Sequence, residues 1–337
     1  GRLFSFSMRA KKPVFAICYG WLWAFLATSI IAIWEITTDH HLSLSRQFDR
    51  EISNAAIVHN SASVAFYNPN TYNLFVSLTL PFILYILSET RKKTHLIFSI
   101  FVLLLLVYIL LMNGSRGAII SGIIMFIIYL LFITYKGSNR ARYYMLFAIC
   151  IISPFAYMYG NSLIEYISYR NVTQGMFEDI IRLNLWDCSW NIFLDSNGIG
   201  KGIGSMMKAL RLYSGNITQM ECSHNLFLEL LLEGGVVWGA FFVYLIYYIF
   251  RYSLNTENAT LKMYIYAVVV PLPFYSIINS IYFDLAFIWC FFSSALIISS
   301  SVFGKYNRIT NNGKILRLQN IKKDECSVYN KRVSFFK

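Results

Sequence analysis

Arg116 stands in GSRGAIISG (114–122), with LIFSIFVLLLLVYILLMN before the turn and AIISGIIMFIIYLLFITY after it. A guanidinium does not shed its proton and is costly to hold near hydrocarbon, so the turn predicts an anion or a water-filled cavity beside it. In FEDIIRLNLWDCSWNIFLD (177–195), Arg182, Trp186 and Trp190 follow at i, i+4 and i+8, so they share one helical face. The tryptophans serve equally well as interfacial anchors or as platforms for a sugar ring. NGIGKGIGSM (197–206) has four glycines in eight positions. Its backbone N–H groups around Lys201 and Gly202 suit close approach to phosphate or sugar, or simply a turn. In ECSHNLFLELLLEGGVVWG (221–239), Ser223 is the expected N-cap and His224 falls in the first turn. A helix N-terminus disfavours imidazolium, which leaves a neutral ring able to take a proton. Glu229 and Glu233 lie one turn apart further down the helix, where carboxylates normally face a bundle or a wet cavity. Guanidinium forks for an anion and a neutral histidine as general base are the chemistry these types offer.

The elements that position them cross a membrane. Of 337 residues, 57% are hydrophobic and 14% charged, too apolar for a soluble chain of this length, and mean hydropathy is +0.51. An all-α polytopic membrane protein is expected. A hydrocarbon core of about 30 Å needs about 20 helical residues. Eight segments qualify: about 14–34, 72–88, 96–112, 117–135, 143–159, 225–250, 262–281 and 284–303. Basic residues collect in short cytoplasmic loops. With Arg2, Arg9, Lys11 and Lys12 inside, SETRKKTH (88–95), YKGSNRARY (135–143), 251–262 and the tail fall on the same side. The tail after 303 has nine Lys or Arg against two acids, seven of the formal +12. The basic balance is therefore mainly a topology signal, and no nucleic-acid partner is implied. Arg116, the 160–224 loop and Asp284 then face outward. The organisation expected is a membrane domain over 1–303, with its active site on the outer loop 160–224, and a basic cytoplasmic tail over 304–337.

The chain begins with Gly and shows no cleavable signal, so further helices are expected upstream. Cys188 and Cys222 share the outer loop at a spacing that matches no metal motif, and free thiols are preferred over a disulfide. Asp39-His40-His41 is the only metal-like cluster and is a weak one.

In this order, the motifs resemble those of the O-antigen polymerase and O-antigen ligase superfamily of bacterial envelope enzymes. SRGA (115–118) opens a helix; RLNLW (182–186) and GIGKGIG (198–204) occupy a long outer loop; HNLFLELLLEGGVVWG (224–239) opens the next helix. NPNTYNLF (68–75) resembles a segment of polymerase-like members. The resemblance implies a GT-C-like membrane glycosyltransferase at the inner (cytoplasmic) membrane. Such an enzyme transfers a glycan from undecaprenyl diphosphate to a sugar hydroxyl on the outer face.

The family's two important arginines correspond to Arg116 and Arg182, and its histidine to His224. Guanidinium forks would hold the diphosphate as its charge grows, and His224 would deprotonate the acceptor. Ser115, Asn70, Trp186, Lys201, Gly202, Glu229 and Glu233 are the expected substrate-binding residues. Metal independence and no cofactor are expected. Implied partners are a lipid-linked oligosaccharide, membrane lipid, a flippase and a chain-length regulator. NPNTYNLF favours a polymerase over a ligase acting on lipid A core. A transporter would instead string polar groups through the membrane depth.

Overall fold

The computed structural model describes residues 2–42, 61–66, 68–90, 92–136, 176–214, 222–278, 282 and 285–302. Among them every regular element is a helix. In chain order these are α1 (Arg2–Thr38), α2 (Pro69–Glu89), α3 (Lys93–Asn113), α4 (Arg116–Lys136), α5 (Met176–Asp195), α6 (Met206–Ser214), α7 (Leu226–Leu254), α8 (Ala259–Val269), α9 (Leu272–Tyr275) and α10 (Ala286–Val302). Five are long and apolar enough to cross a membrane: Pro13–Thr38 of α1, α2, α3, Arg116–Thr134 of α4, and α7. Two shorter apolar stretches, Ala259–Tyr275 and Ala286–Val302, lie where the last two crossings are expected. The protein is multi-pass. The crossing expected over 143–159 lies outside the described residues.

Burial separates the centre of the bundle from its lipid-facing rim. In α2 the run from Thr71 to Ile86 is buried without a break, as befits a helix that is apolar all round. It packs against α1, α3, α4 and α8. Trp21 of α1 stacks on Phe82 of α2 at 4.9 Å and meets Phe291 of α10 edge-on, while its indole N–H donates to Ser294 Oγ at 3.2 Å. In contrast, α3 buries only Ser99, Val102, Leu106, Ile109, Leu110 and Asn113. That is one stripe at helical spacing. The other faces of α3 and α4 expose Ile97, Phe101, Leu104, Ile123, Ile127 and Leu131. Lipid, as apolar as these side chains, is their natural solvent.

Two helices are interrupted. Proline has no N–H to donate and its ring crowds the preceding turn. The stretch expected as one crossing over 262–281 accordingly stops at Val269 and resumes past Pro271 as the single turn α9. In α7, Gly235 takes φ 66° and ψ −164°, far from helical values. The 19 residues from 236 to 254 span about 28 Å at 1.5 Å each, close to a hydrocarbon core by themselves. Residues 226–234 form a separate short piece at the end of the bundle where the candidate residues collect.

Candidate active site

The Arg116 turn is built by a glycine and an asparagine. Gly114 caps α3 in the left-handed conformation (φ 64°), its N–H bonded to Leu110 O, and Ser115 O accepts Ile119 N at 3.0 Å as α4 begins. Arg116 is exposed at the first turn of α4, as SRGA predicts, and Ser115 is buried beneath it. A Cβ at Gly117 would lie 2.9 Å from Ile278 Cγ1 and 3.1 Å from Phe274 O, so glycine lets α4 approach α9 and the residues just after it this closely. Asn113 fastens the turn to two other segments. Its Oδ1 accepts Ala62 N at 2.6 Å, and its Nδ2 donates to Ala62 O and to Asn73 Oδ1. Asn73 belongs to the NPN stretch, where Asn68 caps α2 by accepting Asn70 N and Pro69 takes the first helical position. Buried Glu35 accepts Leu42 N, Ser63 N and Val64 N, and so holds 61–64 in place. Asn113 and Glu35 escape a motif-based reading. Their only signal is a single polar residue near the end of an apolar helix.

His224 is placed differently from expectation. Asn225, and not Ser223, caps α7, its Oδ1 accepting Phe227 N and Leu228 N. His224 therefore precedes the helix instead of lying in its first turn, and it adopts a left-handed backbone (φ 51°). For a residue with a Cβ this costs about 1–3 kcal/mol and persists only where neighbours over-determine it. They do so here. Trp186 Nε1 donates to Ser223 O at 2.8 Å; Ser223 Oγ donates to Glu229 Oε1; Leu226 N donates to Ser276 O at 2.9 Å. Glu229 also accepts Tyr282 N at 2.9 Å, which ties the start of α7 to the segment before α10. The expected neutrality of the ring has a stronger cause than a helix terminus. Burial, and then the Arg182 charge, lower the His224 pKa to about 4. His224 Nδ1 and Arg182 Nε are both buried and make no hydrogen bond among the described residues.

The glycine loop lies against the break in α7. Gly235 ends the ladder of α7, and the loop supplies partners for the freed groups. Lys201 N donates to Leu232 O at 2.7 Å, Gly202 N to Glu233 O at 2.9 Å, and Val236 N to Gly198 O at 2.8 Å. A Cβ at Gly200 would fall 2.6 Å from Gly235 N, and one at Gly235 would fall 2.2 Å from Ile199 O. The amides of Lys201 and Gly202 are thus committed to α7 and do not point freely at a ligand, a departure from their expected role. Glu233 likewise accepts Met206 N at 3.2 Å and holds the start of α6. Lys201 itself remains exposed.

The structure therefore brings the Arg116 and His224 turns to residues 274–278 from two sides and places the Arg182 charge within electrostatic reach of His224. Trp186 uses its indole N–H on the protein, whereas Trp190, 44% exposed, packs its ring against Phe193 at 5.3 Å. Cys188 and Cys222 are free thiols. Asp284 lies outside the described residues. No group of three His, Cys, Asp or Glu able to hold a metal occurs among the described residues, where His41 lies near Glu35 and Asp39.

Residues 100–245, from α3 through the break in α7, match a family model described as O-antigen ligase. The match is to the O-antigen ligase family. It covers Arg116, Arg182, the glycine loop and His224 in one stretch. The chain is also 23% identical over 310 residues to the teichuronic acid biosynthesis protein TuaE of Bacillus subtilis (strain 168). The aligned region covers 87% of this chain and 61% of TuaE, so the chain spans about three-fifths of that relative's length. Both findings support the O-antigen ligase and polymerase-like superfamily.

Proposed function

We propose that the protein is a membrane glycosyltransferase that extends a lipid-linked glycan on the outer face of the cytoplasmic membrane, acting as a repeat-unit polymerase. The observation that carries this reading is the pairing of a buried, neutral His224 with Arg182, each holding a buried nitrogen that makes no hydrogen bond among the described residues. Arg182 and Arg116 bind the diphosphate of an undecaprenyl-linked donor. An acceptor hydroxyl attacks the anomeric carbon as its proton passes to the His224 imidazole. The bond from that carbon to the phosphate oxygen breaks, and the diphosphate leaves with the electron pair. Its growing charge is met by guanidinium forks, which need no proton transfer to bind it. Trp186 and Glu229 act through the turn they hold, and Asn70, Ser115 and Trp190 line the approaches.

The O-antigen ligase match and the part of TuaE in teichuronic acid biosynthesis support an envelope polysaccharide as the product class. NPNTYNLF keeps polymerase ahead of ligase. Eight crossings in a GT-C-like arrangement, with cytoplasmic termini and the basic tail over 304–337, complete the proposal. Deleting the gene should collapse a ladder of lipid-linked chain lengths to single repeats. Retention of lipid-linked polymer with loss of its attachment to a core would make the protein a ligase. Cysteines placed at Ser138 and Asn312 should label only in permeabilised cells, and one at Gly215 in intact cells. Labelling of position 138 in intact cells would reverse the orientation.

A further inference from the structure

The far end of α5 carries a second polar feature that the transfer step does not use. Between the end of α5, the glycine loop and α6 lies an open cavity of about 390 Å³, within the 300–1,000 Å³ range usual for ligand sites. Lys201 and Lys208 line it from two elements, and Ile192, Asp195, Ser205 and Tyr213 complete the part that matters here. No ion pair among the described residues engages either lysine. Ser205 Oγ is buried and makes no hydrogen bond among the described residues. Two cations with a single acid favour an anion. Asp195 and Ser205 offer partners to hydroxyls, and Tyr213 with Ile192 offers an apolar face. A ligand that is anionic, rich in hydroxyls and apolar on one face is an acidic sugar. A lipid phosphodiester would meet the same two lysines, and adhesion to vesicles tells it apart from a sugar.

The cavity is also anchored. Lys201 N and Gly202 N are fixed to α7, and Met206 N to Glu233, so the loop and α6 present the lysines from a backbone tied at three points. Arg182 and Asp195 are thirteen residues apart on one helix, about 20 Å at 1.5 Å per residue. The feature is therefore separate from the reacting centre and several sugar units away from it.

We propose that this cavity is a distal subsite that holds a carboxylate- or phosphate-bearing sugar of the glycan. The proposal rests on the glycan-transfer reading for its context, but it is a claim about binding and is tested without turnover. Purified full-length protein in detergent is titrated with tetragalacturonate and with maltotetraose, followed by saturation-transfer NMR and calorimetry. Tetragalacturonate should bind, and maltotetraose at least about tenfold more weakly, since a charge-assisted contact is worth roughly one decade. Lys201→Gln with Lys208→Gln should remove most of that preference, and the Arg pair Lys201→Arg with Lys208→Arg should retain it. His224→Ala should leave the binding as it is, even where it abolishes transfer, so loss of transfer and loss of the subsite are read separately. Equal binding of the two tetrasaccharides, or full binding by the double Gln variant, would overturn the proposal. So would a double Gln variant that keeps tetragalacturonate but loses adhesion to phosphatidylglycerol vesicles, which would make the lysines a lipid anchor.

Discussion

The two ends of α5 handle positive charge in opposite ways. At one end Arg182 is partly buried within electrostatic reach of His224, with its Nε sealed from solvent, and the His224 turn is held in a strained conformation by Trp186, Ser223 and Glu229. At the other end Lys201 and Lys208 stand exposed around an open cavity, and only the backbone beneath them is fixed. A planar fork held in one place suits an anion whose charge changes during reaction. A point charge on a flexible stem suits an anion that only has to be retained. The difference teaches that burial and side-chain hydrogen bonds gather around His224, the proposed base, whereas the loop and helix beyond the other end of α5, about 20 Å along it from Arg182, leave their cations exposed.

The sharpest way to break this comparison is at His224. Removing a general base costs about 10² to 10⁴ in rate. His224→Ala and His224→Gln should both abolish chain extension on purified donor while the protein accumulates normally. Near-normal turnover by the Gln variant would reduce His224 to positioning the acceptor and transfer the role of base elsewhere. Lysine replacement comes next. Arg182→Lys and Arg116→Lys should each lose on the order of tenfold or more in kcat, because a point charge does not reproduce the fork. Lys201→Arg should change kcat little. Equal effects at the two ends would erase the distinction between them.

A pair of glycine substitutions sharpens the structural half. Gly200→Ala forces a Cβ to 2.6 Å from Gly235 N and should cost about 2 kcal/mol or more, read as lost thermal stability in detergent. At Gly202, nothing lies within 4 Å of the added Cβ, and only φ of +99° opposes it. Gly202→Ala should therefore cost only about 1 kcal/mol. Reversed costs would mean that the loop does not dock on the α7 break.

The smallest expected effect is in pH dependence. With its pKa lowered to about 4 by burial and then by Arg182, His224 stays neutral through mild acid. The acid limb of the rate profile should fall near pH 4 and not near the ordinary 6.5. Arg182→Gln should move whatever activity remains upward in pH. The stabilisation from a neutral buried ring is full above about pH 6.5 and declines toward pH 4, where the unfolded chain takes a proton that the folded one refuses. A limb at 6.5 in the unsubstituted protein would show that the ring is solvated during turnover.

What the chain determines by itself is chiefly periodic and local. Long apolar runs of about 20 residues can satisfy their backbone only as helices in lipid, so α2, α3 and α4 are legible within about three residues of their ends. SRGA opens α4 where expected because Gly114 is a strong stop and the apolar run restarts at once. Burial and partnership are not local properties, and tertiary structure decided them. Asn225 caps α7 because Ser223 is drawn away to Glu229 and its carbonyl to Trp186, contacts that close over 6 and 37 residues. His224 is neutral because packing buries it and brings the Arg182 charge within electrostatic reach. GIGKGIG reads equally as a phosphate cradle or a turn, and it became a docking strip because Gly235, more than thirty residues later, breaks α7 and frees carbonyls that need donors. An unsatisfied buried carbonyl costs more than an unused glycine amide gains from waiting for a ligand, and that preference appears only once the two segments meet.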